Sequence, residues 1–182
     1  SAAMLKEFAV TYTLVGHSER RQWLQEPAAS RRAQIAALWQ QQITPVLCVG
    51  ETAEQYQHGQ TFTVLQQQLA EVLDHLAERG PLVLAYEPVF AIGSGHPLSA
   101  TQAQAVHQQL RLLLQNWYHA ADCQQIPILY GGSVNSTNAA DYLRYPDIDG
   151  VLVGSSSLQA DSFNALCIAI QSAISERRFA EV

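Results

Sequence analysis

Positive charge is scarce in this chain, which has 10 Lys and Arg residues against 16 Asp and Glu residues, and Lys6 is its only lysine. The resulting net charge of -6 argues against a general nucleic-acid binder. No apolar run approaches the roughly 20 residues that a membrane-spanning helix requires, so we expect no transmembrane helix. No basic and apolar leader with a small-residue cleavage site opens the sequence, so no secretory signal is visible.

Cysteine is also sparse. Cys48, Cys123 and Cys167 are odd in number and widely spaced, which excludes a zinc-ribbon pattern and gives no sign of a disulfide framework. We therefore expect reduced thiols and a cytoplasmic location. Cys48 lies in the apolar run 46–49, so it is interpreted as a small buried hydrophobe and not as a nucleophile.

Short apolar runs alternate with longer amphipathic stretches. The short runs predict buried parallel strands over residues 12–15, 45–49, 82–86, 126–130 and 151–153. Apolar residues at helical spacing predict helices over 2–8, 28–42, 62–79, 99–118, 136–144 and 161–174. This alternation predicts an α/β fold with a parallel sheet, either an open doubly wound sheet or a barrel. No linker or repeat divides the chain, so residues 1–182 are expected to form a single domain.

A carboxylate stands at the end of the third apolar run. Glu87 follows Tyr86 directly, Pro88 comes next, and Gly93 and Gly95 end the stretch that follows. Pro88 stiffens the start of this loop, while the glycines give freedom and bare N–H groups at its tip. A general base of a barrel enzyme belongs at such a strand end. The alternative is an ordinary strand-end glutamate in a salt bridge.

Polar and small residues follow three other apolar runs. His17 comes after Gly16, so its imidazole is expected to project from a strand end and to donate a hydrogen bond to a developing oxyanion. The turns Gly131-Gly132-Ser133 and Gly154-Ser155 follow the last two runs. Small residues allow backbone N–H groups to approach a phosphate closely. Either turn alone would be an ordinary Gly-rich turn, whereas the two together favour a phosphate site.

Four segments together resemble the triosephosphate isomerase family in order and spacing: GHSERR at 16–21, AYEPVFAIGSG at 85–95, YGGSV at 130–134 and GVLVGS at 150–155. The resemblance implies a TIM-type (β/α) barrel. It covers units four to eight, so we expect an incomplete barrel of about five parallel strands. It also implies interconversion of dihydroxyacetone phosphate and glyceraldehyde 3-phosphate through an enediolate, with neither a cofactor nor a metal.

The resemblance also implies a role for each matching residue. Glu87 is the base that moves the proton, and His17 polarises the substrate carbonyl. The substrate-binding positions that hold phosphate are Gly93, Ser133, Gly154 and Ser155. The supporting positions are Glu19, Glu51 and Cys48. Arg20 and Arg21 are interpreted as structural ion-pair partners, and the remaining histidines, at 58, 75, 96, 107 and 119, as surface residues.

The chain departs from the family pattern in several places. Lys6 does not match the catalytic lysine that Glu19 would help to position. Phe90 stands where the family generally has a tryptophan, whose acceptor corresponds to Glu51. His96 replaces a common lid-hinge lysine and Ser155 a usual glycine. These changes predict a slower or less tightly closing lid with unchanged chemistry.

The strands without a counterpart in this sequence lead to further expectations. Unpaired sheet edges require a cover, which could be an N-terminal complementing segment or a second copy of the chain in a homo-oligomer. The alternative function is a truncated, catalytically impaired scaffold. A different phosphate-handling barrel enzyme is a weaker alternative, against which the combination of Glu87 and His17 argues.

Overall fold

The computed structural model describes residues 1–92 and 97–180, with side chains to residue 177. The five strands of its sheet are β1 (Tyr12–Val15), β2 (Thr44–Val49), β3 (Val83–Tyr86), β4 (Ile128–Tyr130) and β5 (Gly150–Val151). The helices are α1 (Ala2–Glu7), α2 (Ser18–Trp23), α3 (Ala28–Gln40), α4 (Ala53–Gln57), α5 (Thr61–Leu73), α6 (Ala100–Leu114), α7 (Ala120–Cys123), α8 (Ala139–Leu143) and α9 (Ala160–Ala180). Short 3-10 turns cover Val89–Ala91 and Ser155–Ser157.

The strand order separates the two architectures that periodicity left open. All four neighbouring pairs are parallel, and the order in space is the order in sequence, β1-β2-β3-β4-β5. A doubly wound sheet reverses its order at a switch point, whereas consecutive strands remain neighbours around a barrel. The expectation of a partial TIM-type barrel is therefore confirmed.

Alternation along the strands divides the apolar residues between two faces. In β2, Leu47 and Val49 pack with the helices in the larger core cluster. Val46 and Cys48 instead belong to a small cluster on the other face, together with Val83 and Ala85 of β3. Cys48 is fully buried, as its apolar run predicted.

Several boundaries differ from those predicted. The helix expected over 62–79 ends at Leu73, and the indole N–H of Trp117 donates to Asp74 just beyond that end, at 2.6 Å. The last strand is Gly150–Val151 and not 151–153. The short helices α2, α4 and α7 were not predicted, because segments of four to six residues carry too little periodicity.

His107 corrects a prediction about the histidines. It was expected at the surface, but it is fully buried on α6, where one ring nitrogen lies 3.2 Å from the Asp147 carbonyl oxygen. Burial lowers the pKa of His107 to about 4, which keeps the ring neutral. His58, His75 and His119 are exposed as predicted, and His96 lies outside the described residues.

Two kinds of feature are absent from the described residues. Across 1–92 and 97–180, no helix has both the length and the apolar character needed to cross a bilayer. The same residues contain no group of three or more His, Cys, Asp or Glu side chains arranged to hold a metal ion.

Candidate active site

Parallel pairing brings the ends of β1 and β3 to the same edge of the sheet. Gly16 and His17 follow β1, and Glu87 follows β3. The His17 Nε2 atom lies 3.0 Å from Glu87 Oε1. The carboxylate and the imidazole that the sequence predicted for one site are thus in direct contact, although they are 70 residues apart in the chain.

Hydrogen bonding indicates which nitrogen of His17 carries the proton. His17 is the N-cap residue of α2, and the backbone N–H of Glu19 donates to its Nδ1 atom at 3.4 Å. Nδ1 is therefore the acceptor, and the proton of the neutral ring resides on Nε2. Nε2–H faces Glu87, so the ring presents a donor to the position where the carboxylate lies.

The Glu87 carboxyl group is 1% exposed and is held from two sides. One oxygen contacts His17, and the other accepts the Ser18 backbone N–H at 3.0 Å. Burial raises the pKa of Glu87, while His17, the Ser18 N–H and Arg21 oppose that rise. A raised pKa makes this carboxylate a stronger base than an exposed glutamate, which suits proton abstraction from carbon.

Arg21 and Gln68 form a support beneath the site that sequence reasoning missed. Arg21 was expected to form an ion pair, but its guanidinium donates to the carbonyl oxygens of Cys48 at 2.8 Å and Gly50 at 3.4 Å. Gln68 accepts from Arg21 and from the Gly50 N–H, and it donates to the Gly50 carbonyl oxygen. Gln68 belongs to the glutamine run 66–68, whose polar character predicts a solvated helix face, and this prediction is wrong at Gln68.

Arg20 behaves as predicted. Its guanidinium donates twice to Glu26 Oε1, at 2.9 Å and 2.8 Å. This pair lies on the outer side of α2 and does not line the candidate active site.

A cavity of about 330 Å³ opens beside Glu87 and His17. Both predicted phosphate turns line it, through Ser133 on one side and Gly154 and Ser155 on the other. The Ser156 hydroxyl donates to the Val134 carbonyl oxygen at 2.8 Å, which joins the two turns. Gly93, the fourth predicted phosphate position, lies outside the described residues.

Close packing around Glu87 requires two of the glycines. A methyl group on Gly131 would lie 3.1 Å from Glu87 Cγ, and one on Gly50 would overlap the Glu87 carbonyl oxygen. Glycine at these positions therefore lets neighbouring strand ends approach Glu87 closely.

The three supporting residues occupy different places. Glu19 is exposed and lines the cavity. Glu51 is fully buried below it, where its Oε1 atom accepts the hydroxyls of Tyr86 at 2.9 Å and Thr61 at 3.0 Å. Its Oε2 atom has no partner within the described part of the chain, and burial raises the pKa of this carboxyl group. Cys48 does not line the cavity, and burial raises the pKa of its thiol, which makes it a poor nucleophile.

A larger cavity of about 460 Å³ lies at the opposite end of the strands, beside Tyr12, Arg79 and Tyr118. It pairs no imidazole with a carboxylate. The smaller cavity is therefore the one that joins a buried carboxyl group, an imidazole and two turns of small residues.

Comparison with known proteins identifies the family of this chain. The family model described as triosephosphate isomerase matches residues 1–170. Proteins named triosephosphate isomerase from Delftia acidovorans and Idiomarina loihiensis are 47% and 45% identical to this chain, over 94% of its length and 68% of theirs. The one from Photorhabdus laumondii is 47% identical over 90% of this chain and 64% of its own length. The chain spans about two thirds of these relatives, and it belongs to the triosephosphate isomerase family.

Proposed function

We propose that this site interconverts dihydroxyacetone phosphate and glyceraldehyde 3-phosphate, with Glu87 as the base and His17 as the hydrogen-bond donor. The observation that carries the proposal is the 3.0 Å contact between His17 Nε2 and Glu87 Oε1 at the edge of a cavity lined by two small-residue turns. The name shared by the relatives supports the choice of a phosphorylated triose as substrate.

The reaction moves one proton between adjacent carbons. Glu87 removes a proton from C1 of the ketone, and the electron pair of that C–H bond forms the enediolate double bond. The His17 Nε2–H donates to the oxygen on which negative charge develops. Glu87 then returns the proton to C2, while the His17 imidazole passes its Nε2 proton to the C2 oxygen and takes up the proton of the C1 hydroxyl. The carboxylate and the imidazole end the cycle in their starting states.

Substrate must separate the two groups that contact each other in this structure. Glu87 Oε1 and His17 Nε2 contact each other at 3.0 Å, and these are the two atoms that would act on the substrate. A substrate between them would accept the imidazole N–H and present its C–H bond to the carboxylate. The burial of Glu87 would limit the access of water to the enediolate on the side of the carboxylate.

The phosphate group would bind at the turns around Ser133 and Gly154. Both turns face the same cavity as Glu87. Gly154 has open space where a side chain would begin, so its backbone leaves room for a bulky anion. Ser155 also lines this end of the cavity and can contribute its hydroxyl.

The open ends of the sheet support a second part of the proposal. Within the described residues, β1 and β5 each pair with one neighbouring strand. Tyr12 and Leu14 on β1 are 61% and 45% exposed, and Leu14 also lines the catalytic cavity. We propose that a complementing segment with further strand–helix units covers this edge in the working enzyme, with a second copy of the chain as the alternative cover.

The three unpaired cysteines support a cytoplasmic location.

Replacement of Glu87 by aspartate tests the assignment of the base. Glu87→Asp withdraws the carboxylate by about one C–C bond, and a displacement of this size can reduce turnover on the order of 10²-fold. We expect kcat to fall by that factor, with affinity for a phosphate-bearing inhibitor nearly unchanged.

The matched control is Glu54→Asp, because Glu54 lies on the exposed surface of α4. Turnover by Glu87→Asp equal to that of the control would rule out Glu87 as the base. The assay uses the natural gene product and follows triose phosphate isomerisation in both directions.

A further inference from the structure

The space beside Gly16, which lies between β1 and α2, is filled by the side chain of Arg31 from α3. Gly16 has φ 71°, a left-handed conformation that glycine adopts easily, and it directly precedes His17. A methyl group on Gly16 would lie 2.8 Å from Arg31 Cδ and 3.7 Å from Arg31 Cγ. The methylene stem of Arg31 therefore occupies the volume that the Cβ atom of another residue would need.

Arg31 is poorly satisfied as a charged residue. It is 5% exposed in the first part of α3, and its Nη2 atom lies 3.3 Å from Glu71 Oε2. Its Nε and Nη1 atoms are buried and have no partner among the described residues. Unpaired buried donors destabilise a fold, so hydrogen bonding alone does not account for an arginine at this position.

Charges of both signs surround Arg31. Arg31 attracts the buried Glu26 carboxylate and lowers its pKa, in addition to the effect of Arg20. Arg21 lies close enough that Arg31 lowers its pKa, in addition to the larger effect of burial. Glu71 is 40% exposed and partly screened by solvent, so its attraction to Arg31 is modest. Independently of these charges, the stem of Arg31 packs against Gly16, the residue that precedes His17.

We propose that Arg31 is a positioning residue whose stem holds Gly16, and through it the His17 ring, at hydrogen-bonding distance from Glu87. Glycine is the most permissive residue at a backbone pivot. Removal of the packing behind it would let the loop settle into the vacated volume and would displace the imidazole. The catalytic consequence rests on the proposed function, whereas the position of the ring does not.

Two substitutions separate the stem from the charge. Arg31→Met keeps three unbranched side-chain atoms beyond Cβ and removes the guanidinium, whereas Arg31→Ala removes both. In the natural gene product we expect Arg31→Ala to shift the His17 ring signals in ¹H–¹⁵N spectra and to lower kcat about tenfold, with KM changed less than about twofold. Arg31→Met should keep the His17 signals near their original positions and recover most of the turnover.

The neighbouring Arg32→Ala is the matched control, because Arg32 lies on the same helix and donates to the Glu71 carbonyl oxygen. Unchanged His17 signals in Arg31→Ala would overturn the proposal, as would equal displacement in Arg31→Ala and Arg31→Met. If Arg31→Ala does not fold, Arg31→Val provides the comparison, since it also lacks Cδ. An inactive parent protein with the expected His17 shifts would refute the isomerase function but not the role of Arg31.

Discussion

Glu51 is a buried carboxyl group that the catalytic contacts do not use. Among the described side chains, Tyr86 and Thr61 donate to it, and both hydroxyls go to the same oxygen. Phe90 packs against Tyr56 at a ring-centroid distance of 4.4 Å, and it supplies no N–H for the second oxygen. The ionised form of Glu51 is therefore less favourable than that of a carboxylate with both oxygens satisfied.

The raised pKa of Glu51 predicts the direction in which stability changes with pH. Because the pKa of Glu51 is higher in the folded protein than in the unfolded chain, the folded state binds more protons at this site. The free energy of unfolding therefore decreases as pH rises above the unfolded pKa of about 4.3. We expect the free energy of unfolding of the parent, relative to that of Glu51→Gln, to decrease from about pH 4 upward.

Urea titrations at a series of pH values measure this difference. Glu54→Gln, on the exposed surface of α4, controls for the loss of one carboxylate. A parent protein that gains stability over Glu51→Gln with rising pH would show that the folded environment favours the ionised form.

The residues that sequence could identify differ physically from those it missed. His17 and Glu87 were predicted because each ends a strand, and the ends of parallel strands meet at one edge. Gln68 acts through the return of α5 to the end of β2, a tertiary contact that no local pattern records. His107 shares the helical spacing of Ala103 and Leu110, both fully buried, but its polar character concealed its place in the core.

At the scale of elements, Arg111 joins α6 to the last two strands. Its guanidinium contacts Asp147 at 2.8 Å and Asp149 at 2.7 Å, and it donates to the carbonyl oxygens of Cys123 and Ile126. Asp149 also accepts the backbone N–H of Ile128, the first residue of β4. This network fixes the strand that carries the Ser133 turn against its covering helix.

Removal of Arg111 should therefore loosen the C-terminal part of the sheet. Arg111→Ala leaves two carboxylates and the carbonyl oxygens of Cys123, Ile126 and Asp147 without their shared donor. We expect a loss of about 3 kcal/mol in the free energy of unfolding. This is the lower end of the usual range, because Asp147 and Asp149 are 16% and 31% exposed and can regain water.

Arg144→Ala is the control for this prediction. Arg144 pairs with Asp141 at 3.1 Å, but both side chains are more than half exposed, so its loss should cost about 1 kcal/mol or less. Equal destabilisation of the two variants in chemical denaturation would contradict the structural role assigned to Arg111.

At the scale of the whole molecule, the site is built from strand ends but stands at an open edge. Leu14 on β1 lines the cavity beside Glu87 and His17 and is 45% exposed. Because β1 has one strand neighbour within the described residues, the cavity has protein on one side of His17 and a free strand edge on the other. A free parallel edge exposes unpaired N–H and C=O groups that favour pairing with another chain.

We expect the chain of 182 residues to gain isomerase activity when the edge is covered. The covering polypeptide to test is the part of the Delftia acidovorans relative that this chain does not match, since that protein is 47% identical over the matched part. Strand pairing with β1 would bury Tyr12 and Leu14 and would close the cavity beside His17.

Mixtures of the two polypeptides should show isomerase activity that rises with the concentration of the added polypeptide and then saturates. The same mixture made with Glu87→Asp should remain on the order of 10²-fold less active, which would place the activity at this site and not in the added chain. Full activity of the isolated chain as a monomer, with no gain from the added polypeptide, would show that the edge needs no cover.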